Sequence, residues 1–247
     1  MKAFMSIIVF LLSTSIALSE NILLKAGEDY EISVPNNWIE IPQDILQQYQ
    51  IAVFQTTGQR HEYDYGYQSQ DVLNWLEHPY ALIQIKRSGR IPEGQLKNYK
   101  KLDSAFQEGL EELKESTGDI FSDMSQGETL YDSNDHVLWS NISMDVTGVG
   151  TIQSIVALKL TEYGYIQFMG YSTSDEFSTY SPLFKKMVRS ITTSEVDQYK
   201  PKLTDNAPSI FGINLAEVII AGVIGAALAG ALVLLKKLLK KNSTIKT

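Results

Sequence analysis

The sequence predicts an α+β domain, with helices laid over an antiparallel sheet, followed by a single C-terminal transmembrane helix. Three observations carry that expectation. Four runs, Thr129 to Asp132, Val137 to Val146, Thr151 to Leu160 and Tyr165 to Tyr171, follow one another with only short turns between them, the pattern of an antiparallel meander. From Gln95 to Thr117 the apolar residues Leu96, Tyr99, Leu102, Phe106, Leu110 and Leu113 recur at spacings of three and four, as on one face of a helix. Finally, Leu215 to Leu235 is apolar apart from Glu217 at its outer edge, long enough as a helix to cross a hydrocarbon core of about 30 Å.

The elements follow in chain order. Residues 1–19 have Lys2, an apolar stretch to Leu12 and the small-residue ending Ala17-Leu18-Ser19, which reads as a cleavable secretory leader. Tyr30 to Val34 alternates as a strand, and Pro35-Asn36-Asn37 stops it. A short helix is expected from Pro42, with Ile45, Leu46 and Tyr49 on one side. Tyr80 to Lys86 is a strand with Ala81, Ile83 and Ile85 on one face, broken by Ser88-Gly89-Arg90-Ile91-Pro92. Then come the long helix and the meander. Within the meander Leu138, Ile142, Met144 and Val146 share one face, as do Ile152, Val156, Leu158 and Leu160. Asn134-Asp135, Gly148-Val149-Gly150 and Glu162-Tyr163-Gly164 are the turns.

After Ser174-Asp175-Glu176, either one helix starts near Asp175 and bends at Pro182, or Ser181 caps a fresh helix with Pro182 at its first position. The second reading is preferred, and Phe184, Met187, Val188 and Ile191 form the buried face in both. The exported domain is therefore bounded at 20–192. Residues 193–213, with Pro201, Pro208 and no periodicity, read as a tether. Residues 214–235 form the membrane span and 236–247 a basic tail. Small residues at Gly222, Ala226 and Gly230 offer a stripe for helix–helix association within the membrane.

Charge sets the orientation. Residues 20–205 hold 28 acidic and 15 basic side chains, a net charge of −13, while the tail carries five lysines. The positive-inside bias keeps the tail in the cytoplasm and the domain outside, so the chain is expected to be a single-pass protein of the cytoplasmic membrane. An acidic domain repels nucleic acid, which is not an expected partner. The chain has no cysteine, so the exported domain must stand on its core without disulfides, which points to a prokaryotic envelope.

Catalytic signatures are few. There is no G-x-S-x-G elbow, although a triad can be assembled from dispersed residues without a motif. His61, Glu62 and Asp64 lie close in sequence, but on a strand His61 points away from the two carboxylates, so no metal site and no cofactor are expected. Asp132-Ser133-Asn134-Asp135 starts like a calcium loop but lacks its glycine and closing glutamate, and is a turn.

The local cluster that stands out is Tyr63, Asp64, Tyr65 and Tyr67, followed by Trp75. Alternation on an extended strand places the three tyrosines on one face as an aromatic strip with hydrogen-bonding tips. Packing beneath a helix is one account of the strip, and a binding groove for a small ligand or an envelope protein is the other.

Two longer runs carry a family resemblance. ISVPNNWIEIPQDILQQY (residues 32–49) and GYIQFMGYSTSDEFSTYSPLFKKMVRSI (residues 164–191) resemble the opening and closing signatures of the PsbP-like superfamily. The resemblance spans about Leu23 to Ile191 and implies an α/β/α sandwich with a non-enzymatic binding or assembly role. The C-terminal apolar run and tail depart from the photosynthetic and nuclear members. The expected function is a membrane-tethered extracytoplasmic binding or assembly module, and the alternative is an envelope hydrolase.

Overall fold

The computed structural model describes residues 21–25, 30–58, 60–97, 111 and 120–206. The leader, the apolar run 214–235 with its glycine stripe, the basic tail and the long helix beyond Lys97 lie outside the described residues. Among the described residues, no helix is long and apolar enough to cross a membrane.

The described strands are β1 (Asn21–Lys25), β2 (Tyr30–Pro35), β3 (Trp38–Glu40), β4 (Tyr65–Ser69), β5 (Tyr80–Lys86), β6 (Phe121–Asp132), β7 (Val137–Val146), β8 (Gly150–Thr161), β9 (Gly164–Thr173) and β10 (Thr192–Thr193). The helices are α1 (Gln43–Thr57), α2 (Glu93–Lys97) and α3 (Phe177–Ser190), with a 3-10 turn at Leu203–Asn206. An antiparallel sheet runs in the order β3-β4-β5-β9-β8-β7-β6, and β1-β2-β10 form a smaller antiparallel sheet.

Alternation divides the large sheet into two apolar faces. Leu138, Ile142, Met144 and Val146 of β7 join Ile152, Val156, Leu158 and Leu160 of β8 on one face, with Leu46, Tyr49 and Val53 of α1 in the same buried cluster. These are the facial sets that the period-two pattern predicts. On the other face Ala81, Ile83, Ile155, Ala157 and Phe168 meet Ile32 and Val34 of β2 and Phe184, Met187 and Val188 of α3. The domain is thus a sheet covered on both sides, α+β with antiparallel pairing.

α1 starts one residue after Pro42, whose carbonyl accepts from the Leu46 N–H at 3.1 Å, and it ends at Gly58 in the left-handed conformation (φ 72°). α3 overturns the preferred reading of its sequence, because it is one helix that runs through Pro182 rather than a fresh helix capped by Ser181. Phe177, Tyr180 and Leu183 pack against the core ahead of and beside the proline, and the Tyr180 ring lies 6.5 Å from Trp38. Burial of that first turn offsets the hydrogen bond that Pro182 cannot donate. α3 also crosses β9 closely at Gly170, where a Cβ would sit 2.5 Å from the Phe184 ring.

β6 extends eight residues further toward the N-terminus than Thr129. It is an edge strand, mostly exposed over its first half and shifted in register between Gln126 and Thr129, so it carries little alternation to read.

Candidate functional site

One end of the large sheet gathers the Ser133–His136 turn between β6 and β7, the Glu162–Tyr163 turn between β8 and β9, and the chain leaving β5. Residues 192–205 return across this end. β10 pairs with Glu31 and Tyr30 of β2, Gln198 bridges to Thr161, and the Glu162 N–H donates to the Asp197 carbonyl at 2.8 Å. Arg87 donates to both Asp197 carboxylate oxygens at 3.3 and 3.0 Å.

Arg90 is the centre of the attachment. Its guanidinium holds both oxygens of Asp205, donates to Glu162 at 3.1 Å and to the Lys200 carbonyl at 2.8 Å, and lies 4.5 Å from the centre of the Tyr199 ring. Tyr199 in turn donates to Asp205 at 3.0 Å and accepts from the Glu93 N–H at 2.9 Å. Arg90's donors hold the Asp205 carboxyl down at about 2. Asp197, Tyr199 and Asp205 are buried. The segment from 193 to 205 therefore packs on the domain, beyond the expected boundary at 192 and within the stretch read as a tether.

Beneath this returning segment opens a polar cleft of about 370 Å³. His136 is held with φ 52° in the turn, its ring centre 5.0 Å from that of Tyr199 and its Nδ1 3.8 Å from a Glu93 carboxylate oxygen. Lys159 lines the cleft from β8, and burial lowers its ammonium pKa, with Asp135 acting in the opposite direction. Arg189, in the last turn of α3, donates to Asp135 at 3.3 Å. Gln198 adds an amide. Two cations, an amide and aromatic walls around a concavity suit a ligand with anionic or acceptor groups. Among the described residues no group of three His, Cys, Asp or Glu is placed to hold a metal ion.

The cleft is not where the sequence points. Tyr63, Tyr65 and Tyr67 do not form one strip. β4 begins only at Tyr65, and Tyr63 lies before it in the cluster with Tyr49, ring centres 5.7 Å apart. Tyr67 is fully buried on the opposite face of the sheet. The half-buried Tyr65 meets Tyr30 edge-on at 5.6 Å on that same opposite face.

The cause is local. Glutamine side chains bind the carbonyls of residues 62 to 64, Gln84 at Glu62, Gln50 at Tyr63 and Gln43 at Asp64, in place of a neighbouring strand. Asp64 is exposed at the surface and accepts from the Ile85 N–H at 2.7 Å, while Trp75 is half-buried against the core. A shallow pocket does sit near this segment, lined by Phe54, Arg60, His61 and Glu62 with Gln50 and Ile51, and no serine, threonine or cysteine is among its lining residues.

His61 and His78 give the domain an acid sensitivity. Burial, with Lys86 nearby, pushes His61 down to about 4, and burial does the same to His78 against the pull of Glu77. Both folded values lie below the ordinary 6.5, so the unfolded chain takes up these protons first. The stability contributed by the neutral rings is complete above about pH 6.5 and is lost as pH falls toward 4. Urea midpoints are expected to drop between pH 7 and 4.5, and the drop should shrink in the His61→Gln/His78→Gln chain. An unchanged pH profile in that variant would place the sensitivity elsewhere.

Fold and site together define a two-faced α+β sandwich with a polar cleft at one end of its sheet. The chain is similar to the solution structure of cyanobacterial PsbP (CyanoP) from Synechocystis sp. PCC 6803, at 16% identity and a TM-score of 0.40, over 73% of this chain and 96% of that one. That is the family resembled by the opening and closing runs of the sequence, and a likeness of this size carries nothing about a partner. No family model and no curated protein matches the chain.

Proposed function

We propose that this chain is a membrane-tethered, extracytoplasmic binding or assembly module of a bacterial envelope. Its leader is residues 1–19, its anchor the apolar run 214–235, and its lysine-rich tail stays in the cytoplasm. The observation that carries the binding role is the cleft, where Lys159 and Arg189 offer cations beside the ring walls of His136 and Tyr199. A hydrolase would need a nucleophile within hydrogen-bond reach of His136, whose ring neighbours among the described residues include Tyr131, Glu93 and Tyr199.

Crosslinking in intact cells tests the binding role. Capture of one and the same partner or ligand is expected to fall in the Lys159→Gln/Arg189→Gln chain at unchanged expression, and equal capture would move the site away from the cleft. Protease added outside the cytoplasmic membrane tests the topology. It is expected to cut after Asn206, beyond the docked segment, and to release a domain that begins at Glu20. A mature chain that still begins at Met1, or a Lys240 region that is accessible from outside, would reverse it.

A further inference from the structure

The first part of the stretch read as a tether returns to the domain as far as Asp205, which changes where the domain must sit. The 3-10 turn closes at Asn206, and residues 207–213 are the seven that separate it from the apolar run. Even fully extended, seven residues span at most about 25 Å. A domain held so closely cannot tumble freely above the bilayer.

The end from which the chain departs has a surface unlike the rest of the domain. Leu203 is fully exposed, Val196 is 69% exposed and Tyr163 is 47% exposed. Single exposed apolar side chains are ordinary, but these three are brought to one end by named contacts. Glu162, next to Tyr163, is hydrogen-bonded to Asp197, next to Val196, and it also receives the ammonium of Lys202, next to Leu203. Charge differs as well. In a domain of net −13, three carboxylates at this end are matched, Asp197 on Arg87, Asp205 on Arg90 and Glu162 on Arg90 and Lys202, while Glu195, beside Val196, is exposed. Lys200 stands exposed beside them.

We propose that this end docks on the lipid–water interface of the membrane that carries the anchor, with Tyr163, Val196 and Leu203 entering the headgroup layer and Lys200 meeting lipid phosphates. The proposal rests on the membrane-tether reading above. Its physics is that of interfacial binding: a small apolar area gains from leaving water, a basic residue gains from the phosphate layer, and the short connection makes the encounter intramolecular. The acidic remainder of the domain is turned away from anionic lipid, and the cleft, at the same end of the sheet, is held close to the membrane surface.

The chain has no cysteine, so a single introduced thiol can carry a fluorophore. Full-length Leu203→Cys is reconstituted into phosphatidylcholine vesicles with a minority of phosphatidylglycerol and quenched with a headgroup-nitroxide lipid. Leu73→Cys serves as the reference, because Leu73 is 96% exposed in the loop between β4 and β5 at the opposite end of the sheet. Quenching at 203 is expected to exceed that at 73 several-fold. It should fall toward the reference when Tyr163→Asp and Val196→Asp are added, exposed positions whose change leaves the core untouched.

A chain that floats with the vesicles but shows equal quenching at the two positions overturns the docking and leaves the tether standing. Undiminished quenching in the two-aspartate chain also overturns it, since the apolar tips would not be what holds the surface. A chain that does not float with the vesicles overturns the tether reading and the docking with it.

Discussion

Replacing Tyr67 by alanine is expected to destabilise the domain by about 3–5 kcal/mol, the range for removing a large aromatic side chain from a packed core. Tyr67 has no exposed surface, pairs across the sheet with Ala81 and lies in the cluster of Phe184 and Trp38 that joins the sheet to α3 and β2. Its alanine variant leaves a void that the surrounding strands, hydrogen-bonded on both sides, cannot collapse into. Tyr63→Ala should cost a comparable amount on the opposite face, because Tyr63 is 3% exposed against Tyr49. Tyr65→Ala should cost less, since that ring is only partly buried.

The phenylalanine variants separate packing from polar contact. The Tyr67 hydroxyl is buried with no hydrogen-bond partner among the described residues, so Tyr67→Phe should change stability by no more than about 1 kcal/mol and in the stabilising direction. Denaturant unfolding at neutral pH reads all four variants. A neutral Tyr67→Ala would mean that β4 is not packed between α3 and its sheet neighbours.

The tyrosine run shows where sequence reading worked and where it stopped. Alternation was legible in β5, β7 and β8 because each strand has burial partners on at least one face throughout its length, so that Ala81, Ile83 and Ile85, or Leu138, Ile142, Met144 and Val146, keep step with the pleat. The same rule failed at Tyr63, since the carbonyls of residues 62 to 64 are bound by glutamine side chains and the strand begins two residues later. Hydropathy carries no record of such contacts.

The cleft was illegible for a related reason. Its residues come from the β6–β7 turn, β8, the end of α3 and the returning segment, and no two of those pieces adjoin in sequence except the last pair. The docking of 193–205 rests on ion pairs between residues 110 and 115 positions apart, and a search for apolar periodicity does not register them.

Arg90→Ala is expected to cost about 3–5 kcal/mol, because it strands Asp205 as a charge with 3% exposure and no guanidinium partner. The sign of the accompanying pH effect follows from Asp205, whose carboxyl is held down at about 2 against an ordinary 3.8. A depressed carboxylate stabilises the fold above about pH 4, and that contribution disappears as pH falls toward 2. In Arg90→Ala the carboxyl loses the donors that depress it, so this acid-dependent step should flatten while stability at pH 7 is already reduced. An Arg90→Ala/Asp205→Ala chain should recover part of the loss, since no unpaired charge remains.

The consequence reaches beyond stability. With Arg90 intact, seven residues connect the docked segment to the apolar run, and without it the part beyond Gln198, which Arg87 and the Thr161 bridge do not hold, is released and the connection lengthens to 199–213. The Arg90→Ala chain is therefore expected to become sensitive to protease between Tyr199 and Asn206 and to lose the lipid quenching at position 203 together. Protease resistance retained in that segment, at unchanged unfolding midpoint, would show that Arg90 is not what fastens the chain to the domain.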